Sequence, residues 1–412
     1  MTHNHRRTCY ETKHDNHSCH VFRVGQVTRT PAEDHRVLFE SIGRWGKRAM
    51  RRQMAVMAWV MAQMVLFSHE VPTAWAGQGP NFERRLVVAG QGYFPVALRL
   101  EDGRIAVVLR GGGPHIGLGG RLDIVFSSDE GRTWTKPKVI VDTPVDDRNP
   151  AFGQARDGTL VVAFVQNSKY DDKGRYLRDV PGRPITLWIT RSQDGSRTWS
   201  KPAQIEIPDF IHMSPFGRMI TLPDGSMLMN VYGGSERGKD QSDLYRSTDH
   251  GTTWKKYSSL GRQFNETALL RLPSGRILAA MRRLHPEDVW TTESSDNGRT
   301  WSNPKLLTPS DVHPADLCLL ADDRVLMTVG NRVGPFGVMG LKSGKEGSFS
   351  PKNWTLRFTL VNDAISRDCG YPSSVLLKDG RVLTVYYAVH CLNEPEWGVH
   401  CGAVVYQPPV WQ

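Results

Sequence analysis

Apolar residues along this chain gather in short strand-like runs broken at turns, without the three-or-four-residue spacing of a helix. The stretch "ALRLEDGRIAVVLR" runs apolar, breaks at Asp102-Gly103 and resumes as a strand-like run. Five further segments repeat the design: "GQARDGTLVVAFVQ", "MITLPDGSMLMNVY", "LLRLPSGRILAAMR", "LCLLADDRVLMTVG" and "SVLLKDGRVLTVYY". A short strand, a turn of Asp-Gly type and a strand rich in β-branched residues make a hairpin. The turn residues are Gly103, Gly158, Gly225, Gly275, Asp323 and Gly380, separated by 55, 67, 50, 48 and 57 positions. No long stretch with helical periodicity intervenes.

A second repeat runs out of phase with the first. "SSDEGRTW" (Ser127 to Trp134), "SQDGSRTW" (Ser192 to Trp199), "STDHGTTW" (Ser247 to Trp254) and "SSDNGRTW" (Ser294 to Trp301) share the pattern Ser-x-Asp-x-Gly-x-Thr-Trp. In the second copy Ser196 takes the glycine position and Gly195 sits one residue early. Each box reads as a turn in which Asp accepts backbone N–H bonds, Gly provides positive φ and Trp folds back as an apolar plug. The boxes are thus structural in the first instance. Six hairpins, four followed by a box hairpin, give about four strands per unit at the period of a propeller blade. The expected fold is an all-β, six-bladed β-propeller with Asp-box hairpins over residues 77–412.

The chain of 412 residues carries a net charge of +10, which raises the question of nucleic acid. Residues 1–76 hold 11 Lys/Arg against 6 Asp/Glu, so half of that excess sits in less than a fifth of the chain. With no basic run interleaved with aromatics, a nucleic-acid partner is not expected. The segment "RWGKRAMRRQMAVMAWVMAQMVLFSHEVPTAWAGQG" has the parts of an export signal: basic Arg48, Arg51 and Arg52, an apolar run from Met54 to Phe67, and an Ala74-Trp75-Ala76 cleavage site. Residues 50–76 are therefore read as a signal peptide and the mature protein as periplasmic or extracellular. Its run of 14 apolar residues is short for a membrane span, so a membrane contact is expected only if the segment stays uncleaved as an anchor. Residues 1–49, with Cys9, Cys19 and several His, are read as an unstructured extension or a start placed too early; the two cysteines lack paired metal-ligand spacing. An exported location permits disulfides, and Cys391–Cys401 across the last hairpin is the expected pair. No D-x-D-x-D-G loop argues for calcium, and no metal or cofactor is expected.

Chemistry enters through the register of the hairpins. Nine residues before the six turn residues stand Phe94, Asn149, Phe216, Glu266, Pro314 and Tyr371. Seven residues after them stand Arg110, Val165, Tyr232, Arg282, Gly330 and Tyr387. In a propeller both sets ring one mouth of the central channel, so Glu266, Tyr371, Arg110 and Arg282 converge, with Arg148, Asp316 and Arg332 nearby. Arginines beside a Glu and a Tyr make a pocket for an anionic ligand. The bland alternative is that Arg and Glu pair with each other across the channel.

From about residue 85 onward the chain resembles the sialidases (neuraminidases), six-bladed propellers with Asp boxes. "NETALLRLPSGRILAAMRR" is similar to the sialidase element in which a Glu after Asn is followed sixteen residues on by a carboxylate-binding Arg; here these are Glu266 and Arg282. "GYPSSVLLKDGRVLTVYY" resembles the segment with the nucleophilic tyrosine, implying that role for Tyr371. "GNRVGPFGV" stands where the family has its third carboxylate-binding arginine, here Arg332. Two departures stand out. "GYFP" puts Tyr93 where the family has the arginine of an Arg-Ile-Pro motif. The loop "RGGGPHIGLGGRLD" puts His115 nearest the family's acid/base aspartate, with Asp123 reading as part of the next strand. Arg110 matches an arginine at the end of the first hairpin, and Arg148 is a candidate for the absent positive charge, beside Asn149.

The resemblance implies an exo-acting glycoside hydrolase that releases a terminal sialic acid with retention. A sialic acid bears its carboxylate on the anomeric carbon, so an anionic nucleophile 3–4 Å away would meet a repulsion of about 4 kcal/mol at intermediate dielectric. A neutral phenol avoids this and needs a base, which sets Tyr371 as nucleophile and Glu266 as its base. Arg282 and Arg332, with Arg110 or Arg148, would clamp the carboxylate, and His115 would protonate the leaving group. The expected partner is a glycan or glycoconjugate with an acidic terminal sugar. Two alternatives stay open: a glycosidase for another anionic sugar, with Tyr93 and His115 reshaping the pocket, and a non-catalytic carbohydrate- or protein-binding propeller.

Overall fold

The computed structural model describes residues 82–178, 182–236, 238–345, 354 and 356–409. The expected extension at 1–49, with Cys9 and Cys19, and the expected signal peptide at 50–76 lie outside the described residues.

Among the described residues, twenty-four strands follow one another with almost no helix. The chain enters on β1 (Glu83–Ala89) and builds a four-stranded meander from β2 (Tyr93–Arg99), β3 (Ile105–Gly111), β4 (Arg121–Ser127) and β5 (Lys138–Val141). A second comprises β6 (Asp146–Gln154), β7 (Leu160–Asn167), β8 (Ile185–Ser192) and β9 (Ala203–Ile205). The third holds β10 (His212–Thr221), β11 (Met227–Gly234), β12 (Gln241–Ser247) and β13 (Lys255–Arg262). The fourth holds β14 (Phe264–Arg271), β15 (Ile277–Arg283), β16 (Val289–Ser294) and β17 (Lys305–Leu306). The fifth has β18 (Val312–Leu319), β19 (Arg324–Asn331), β20 (Phe336–Lys345) and β21 (Leu356–Ala364). The last has β22 (Cys369–Leu376), β23 (Val382–Val389) and β24 (Val399–Tyr406). Its outer strand is β1, which pairs antiparallel with β24, so the two ends of the described chain share one blade.

Hydrogen bonding separates four of these meanders as independent four-stranded sheets. The second and third are joined into one eight-stranded sheet, because β10 and β6 pair in parallel at Gly217–Ala151 and Arg218–Phe152. The inner strands β2, β6, β10, β14, β18 and β22 neighbour one another in that order, and β22 returns to β2. Six apolar cores lie between successive blades, one for each neighbouring pair.

Continuous apolar runs follow from this arrangement. In β3, Ile105, Val107 and Leu109 face the last blade while Ala106 and Val108 face the second. A strand buried on both faces has no polar alternation to show. The box tryptophans close the same interfaces: Trp134, Trp199, Trp254 and Trp301 each pack into the core shared with the preceding blade.

The boxes fold as their sequence implies. In every copy Ser Oγ donates to Asp Oδ1 at 2.8 Å. The Thr hydroxyl donates to the other carboxylate oxygen at 2.6–2.7 Å. The anomalous second copy is explained by the backbone. Two consecutive residues have positive φ in every box: Glu130 and Gly131, Gly195 and Ser196, His250 and Gly251, Asn297 and Gly298. Glycine eases either position.

The expected Cys391–Cys401 disulfide is not formed. Both thiols are free and buried, as are Cys318 and Cys369. Cys391 packs into the core between the fifth and sixth blades and Cys401 into that between the sixth and first, so the sheet separates them.

Candidate active site at the channel mouth

Each inner strand breaks its register, near its start in five of them and midway along β10. The irregularity falls between Tyr93 and Val96, Arg148 and Ala151, Phe216 and Ile220, Phe264 and Thr267, Val312 and Ala315, and Gly370 and Ser373. A bulge re-aims the side chains around it. Phe94, Asn149 and Tyr371, the positions picked out by register, have φ of 54°, 52° and 47°. Left-handed backbone at residues with side chains is costly and gathers at functional sites. These bulges turn the first residues of the strands toward the axis.

Tyr371 and Glu266 meet there. The Tyr371 hydroxyl donates to Glu266 Oε1 across 105 residues of sequence. Arg282 holds the other oxygen, donating from Nη1 to Glu266 Oε2 at 2.7 Å. Its Nη2 donates to Glu287 Oε1 at 2.6 Å, and Glu287 in turn faces His313 Nε2 at 3.2 Å. Burial raises the Tyr371 phenol pKa, the Glu266 charge adds to this, and Arg282 and Arg332 only partly offset it. The phenol is thus neutral with a carboxylate already at its proton.

Arg332 lies over the Tyr371 ring at 5.5 Å and donates from Nη2 to the Cys369 carbonyl at 3.3 Å. It makes no ion pair with a carboxylate among the described residues, although its charge acts on the nearby Asp368 and Glu266 carboxyls. The neighbouring wall is aromatic. Tyr93, Phe94, His115, Tyr371 and Tyr387 form a continuous set of ring contacts at 5.0–6.5 Å. His115 Nδ1 sits 2.7 Å from Asp368 Oδ1, and the same oxygen accepts from the Tyr387 hydroxyl at 2.6 Å. Burial pushes the Asp368 carboxyl pKa up, but the His115 contact and charge, the Tyr387 hydroxyl and Arg332 outweigh it and hold the group below its usual range. Phe94, Asn149, Phe216, Tyr232, Glu266 and Tyr371, among others, line a pocket with about 20 Å³ of enclosed space, room for about one water.

Other expected residues fall differently. Arg110 is fully buried and committed: it holds Asp146 Oδ1 at 2.6 Å and donates to the carbonyls of Gly113, Pro114 and Gly117. Its register is as expected, but its donors bind the loop after the first hairpin rather than the mouth. Asp316 is buried and tied to Arg218 at 2.8 Å and to the Ser374 N–H at 2.8 Å, which makes it a strut between blades. Arg148 keeps a looser contact of 3.4 Å with Asp146 and lies over the Phe94 ring at 5.6 Å. Asn149 bridges to Ser214 Oγ at 3.0 Å. Tyr93 is buried in the aromatic wall, and Asp123 lies inside β4, bonded to Arg121 and Gln91. Glu287, His313 and Asp368 escaped the register argument because they stand in or beside connections of irregular length. Asp368 sits only three residues before Tyr371, which was the one available signal.

Residues 119–384 match the family model described as a BNR repeat-like domain. No curated protein matches the chain. Among solved structures, a protein of unknown function from Dyadobacter fermentans superposes with a TM-score of 0.69 at 23% identity, over 79% of this chain and 98% of its own. The Hadza microbial sialidase Hz136 gives 0.60 at 16% identity, over 77% of this chain and 66% of that one. The Trypanosoma rangeli sialidase, solved with 2,3-difluorosialic acid as a covalent intermediate, gives 0.59 at 15% identity, over 78% of this chain and 55% of the sialidase. At such identities the likeness is one of fold. The chain belongs to the BNR repeat-like domain family and is a divergent, sialidase-like β-propeller.

Proposed function

We propose that the protein is an exported exo-acting glycoside hydrolase that removes a terminal sialic acid from a glycan or glycoconjugate with retention. The observation that carries this reading is the Tyr371 hydroxyl bonded to a Glu266 carboxylate whose other oxygen is fixed by Arg282. A binding protein has no need of a base on a buried phenol. Tyr371 attacks the anomeric carbon while its proton passes to Glu266, so no full negative charge approaches the substrate carboxylate. Arg332, with no carboxylate of its own, is the strongest candidate to hold that carboxylate, with Arg282 and Arg148 flanking. His115 gives a proton to the departing oxygen. Water then attacks from the vacated side, and Tyr371 leaves by taking its proton back from Glu266. Export rests on the signal-like segment ending at Ala76.

A second reading, hydrolysis of another anionic glycoside, draws on Tyr93, which gives the mouth an aromatic wall where the sialidase pattern has the arginine of its Arg-Ile-Pro motif. Purified protein is expected to release sugar from a fluorogenic α-sialoside. Inactivity on sialosides with turnover of another ulosonic or uronic glycoside would favour the second reading. Glycan binding without any turnover would remove both.

A further inference from the structure

The proton donor of the proposed reaction has a partner that the sialidase pattern does not contain. His115 and Asp368 come from loops 253 residues apart, yet Nδ1 and Oδ1 are 2.7 Å apart. His115 is packed edge-on against Phe94 at 5.0 Å and against Tyr93 at 5.6 Å, which fixes the plane of its ring. With Nδ1 committed, Nε2 is the remaining nitrogen; it has no protein partner among the described residues, and the side chain is 35% exposed. Asp368 is itself fixed by the Tyr387 hydroxyl and by its place three residues before Tyr371, at the head of the same inner strand. Orienter and nucleophile thus move as one piece of backbone.

We infer that Asp368 is a positioning residue that holds His115 as the acid/base of this site, an Asp–His pair acting where a lone carboxyl would otherwise stand. The inference rests on the glycosidase reading above. In the first half-reaction the imidazolium carries protons on both nitrogens, with Nδ1–H directed at the Asp368 carboxylate. The bond from the anomeric carbon to the leaving oxygen breaks, that oxygen takes the Nε2 proton, and the Tyr371 oxygen bonds the anomeric carbon as its proton moves to Glu266. Neutral Nε2 then takes a proton from water as the water oxygen attacks the anomeric carbon. The Tyr371 oxygen leaves, recovering its proton from Glu266, and the imidazolium is restored. Asp368 stays ionised throughout and stabilises each imidazolium, as an aspartate does behind a catalytic histidine elsewhere.

A positioning role of this kind shows in the leaving group. Protonation matters for sugar-alcohol leaving groups and hardly at all for acidic phenols. His115→Ala and the isosteric Asp368→Asn are each expected to lower kcat/KM on a sialyl-lactose substrate by about a hundredfold or more. Both should keep most of their rate on a nitrophenyl sialoside. The double variant should be no worse than the single ones, because the two act as a unit. Equal losses on both substrates, or additive losses, would overturn the pairing. A readout independent of turnover is the Asp368 carboxyl ¹³C titration. It should move to higher pH in His115→Ala, with Tyr387, Arg332, Tyr93 and Cys369 the other charged or titratable groups facing it. A carboxyl that does not move also sinks the pair. A wild-type protein inactive on every glycoside, with the expected carboxyl shift, would instead condemn the glycosidase reading and leave the pair standing.

Discussion

The two faces of this propeller are built on opposite principles. On the box face every turn is held by bonds that span two to four residues, and the same bonds recur four times. On the mouth face the decisive contacts span 105 and 253 residues and none is repeated. Of the large exposed hydrophobics among the described residues, Ile116, Leu118, Tyr176, Ile211, Val333, Ile365 and Leu392 stand on mouth-side connections, Leu86, Val139 and Leu306 on outer strands and Phe82 just before β1; none falls in a box or an inner-hairpin turn. Short local bonds can be copied from blade to blade because each copy closes on itself. Chemistry needs different side chains from different blades at one point, so it appears where the repeat is broken.

The sharpest way to break the comparison is to exchange its currencies, activity against stability. Tyr371→Phe on the mouth face is expected to cost about a thousandfold or more in kcat, the scale of removing a covalent nucleophile, with the melting temperature nearly unchanged. On the box side, Trp254→Ala empties a plug that is 7% exposed in the core between the second and third blades. It should cost about 3–5 kcal/mol of stability, read by denaturant unfolding, while KM stays as it was. If Trp254→Ala altered KM, the faces would be coupled and the division would fail.

This division also sets what the sequence reveals. The hairpin period, the boxes and the Glu266–Tyr371 convergence were legible because each follows from local pattern plus a common register. Closure by β1 was not, since "ERRLVVA" has no turn partner of its own and is completed only by β24, more than 300 residues later. Arg110 shows the limit of register: its position was right, but the acceptors that consume its donors, Asp146 and three loop carbonyls, have no counterpart in other blades. Asp368 shows the converse, a residue off the register that a bend carries to His115. Likewise the Cys391–Cys401 spacing pointed to a bridge that opposite sheet faces forbid.

Acid separates the faces at a finer scale. On the mouth side His313 is fully buried with Nδ1 unpartnered. Burial, reinforced by the charges of Arg282, Arg332 and Arg367, drives its pKa from 6.5 down to about 2, outweighing the favourable contact with Glu287. Below pH 6.5 the unfolded chain takes up a proton that the folded one refuses, so stability falls as pH drops, by at most about 1.4 kcal/mol per unit. The box carboxyls are depressed too, Asp129 and Asp296 to about 2, chiefly by Thr and Ser donors that overcome desolvation in Asp129. Their contribution is present above pH 3.8 and is lost as pH falls toward 2. Unfolding titrations should therefore show His313→Gln flattening the slope between pH 6.5 and 4, and Asp129→Asn changing it only below about pH 4. A His313 variant with the wild-type slope would remove the mouth-side term.

The smallest expected effect tests whether a box is as self-contained as its repetition implies. Ser196 holds φ of 75° where the other boxes have glycine, which costs it backbone strain. Its hydroxyl also accepts from Trp199 Nε1 at 2.9 Å, an interaction that Trp254 makes instead with the Gly251 carbonyl at 3.1 Å. Ser196→Gly relieves the strain and frees the indole to find the carbonyl, as it does in the third box, so the two changes offset each other. The net shift should stay within about 1 kcal/mol, with kcat unchanged. A loss well beyond that would mean the second box leans on its own serine, and that the boxes are four local solutions rather than one device copied four times.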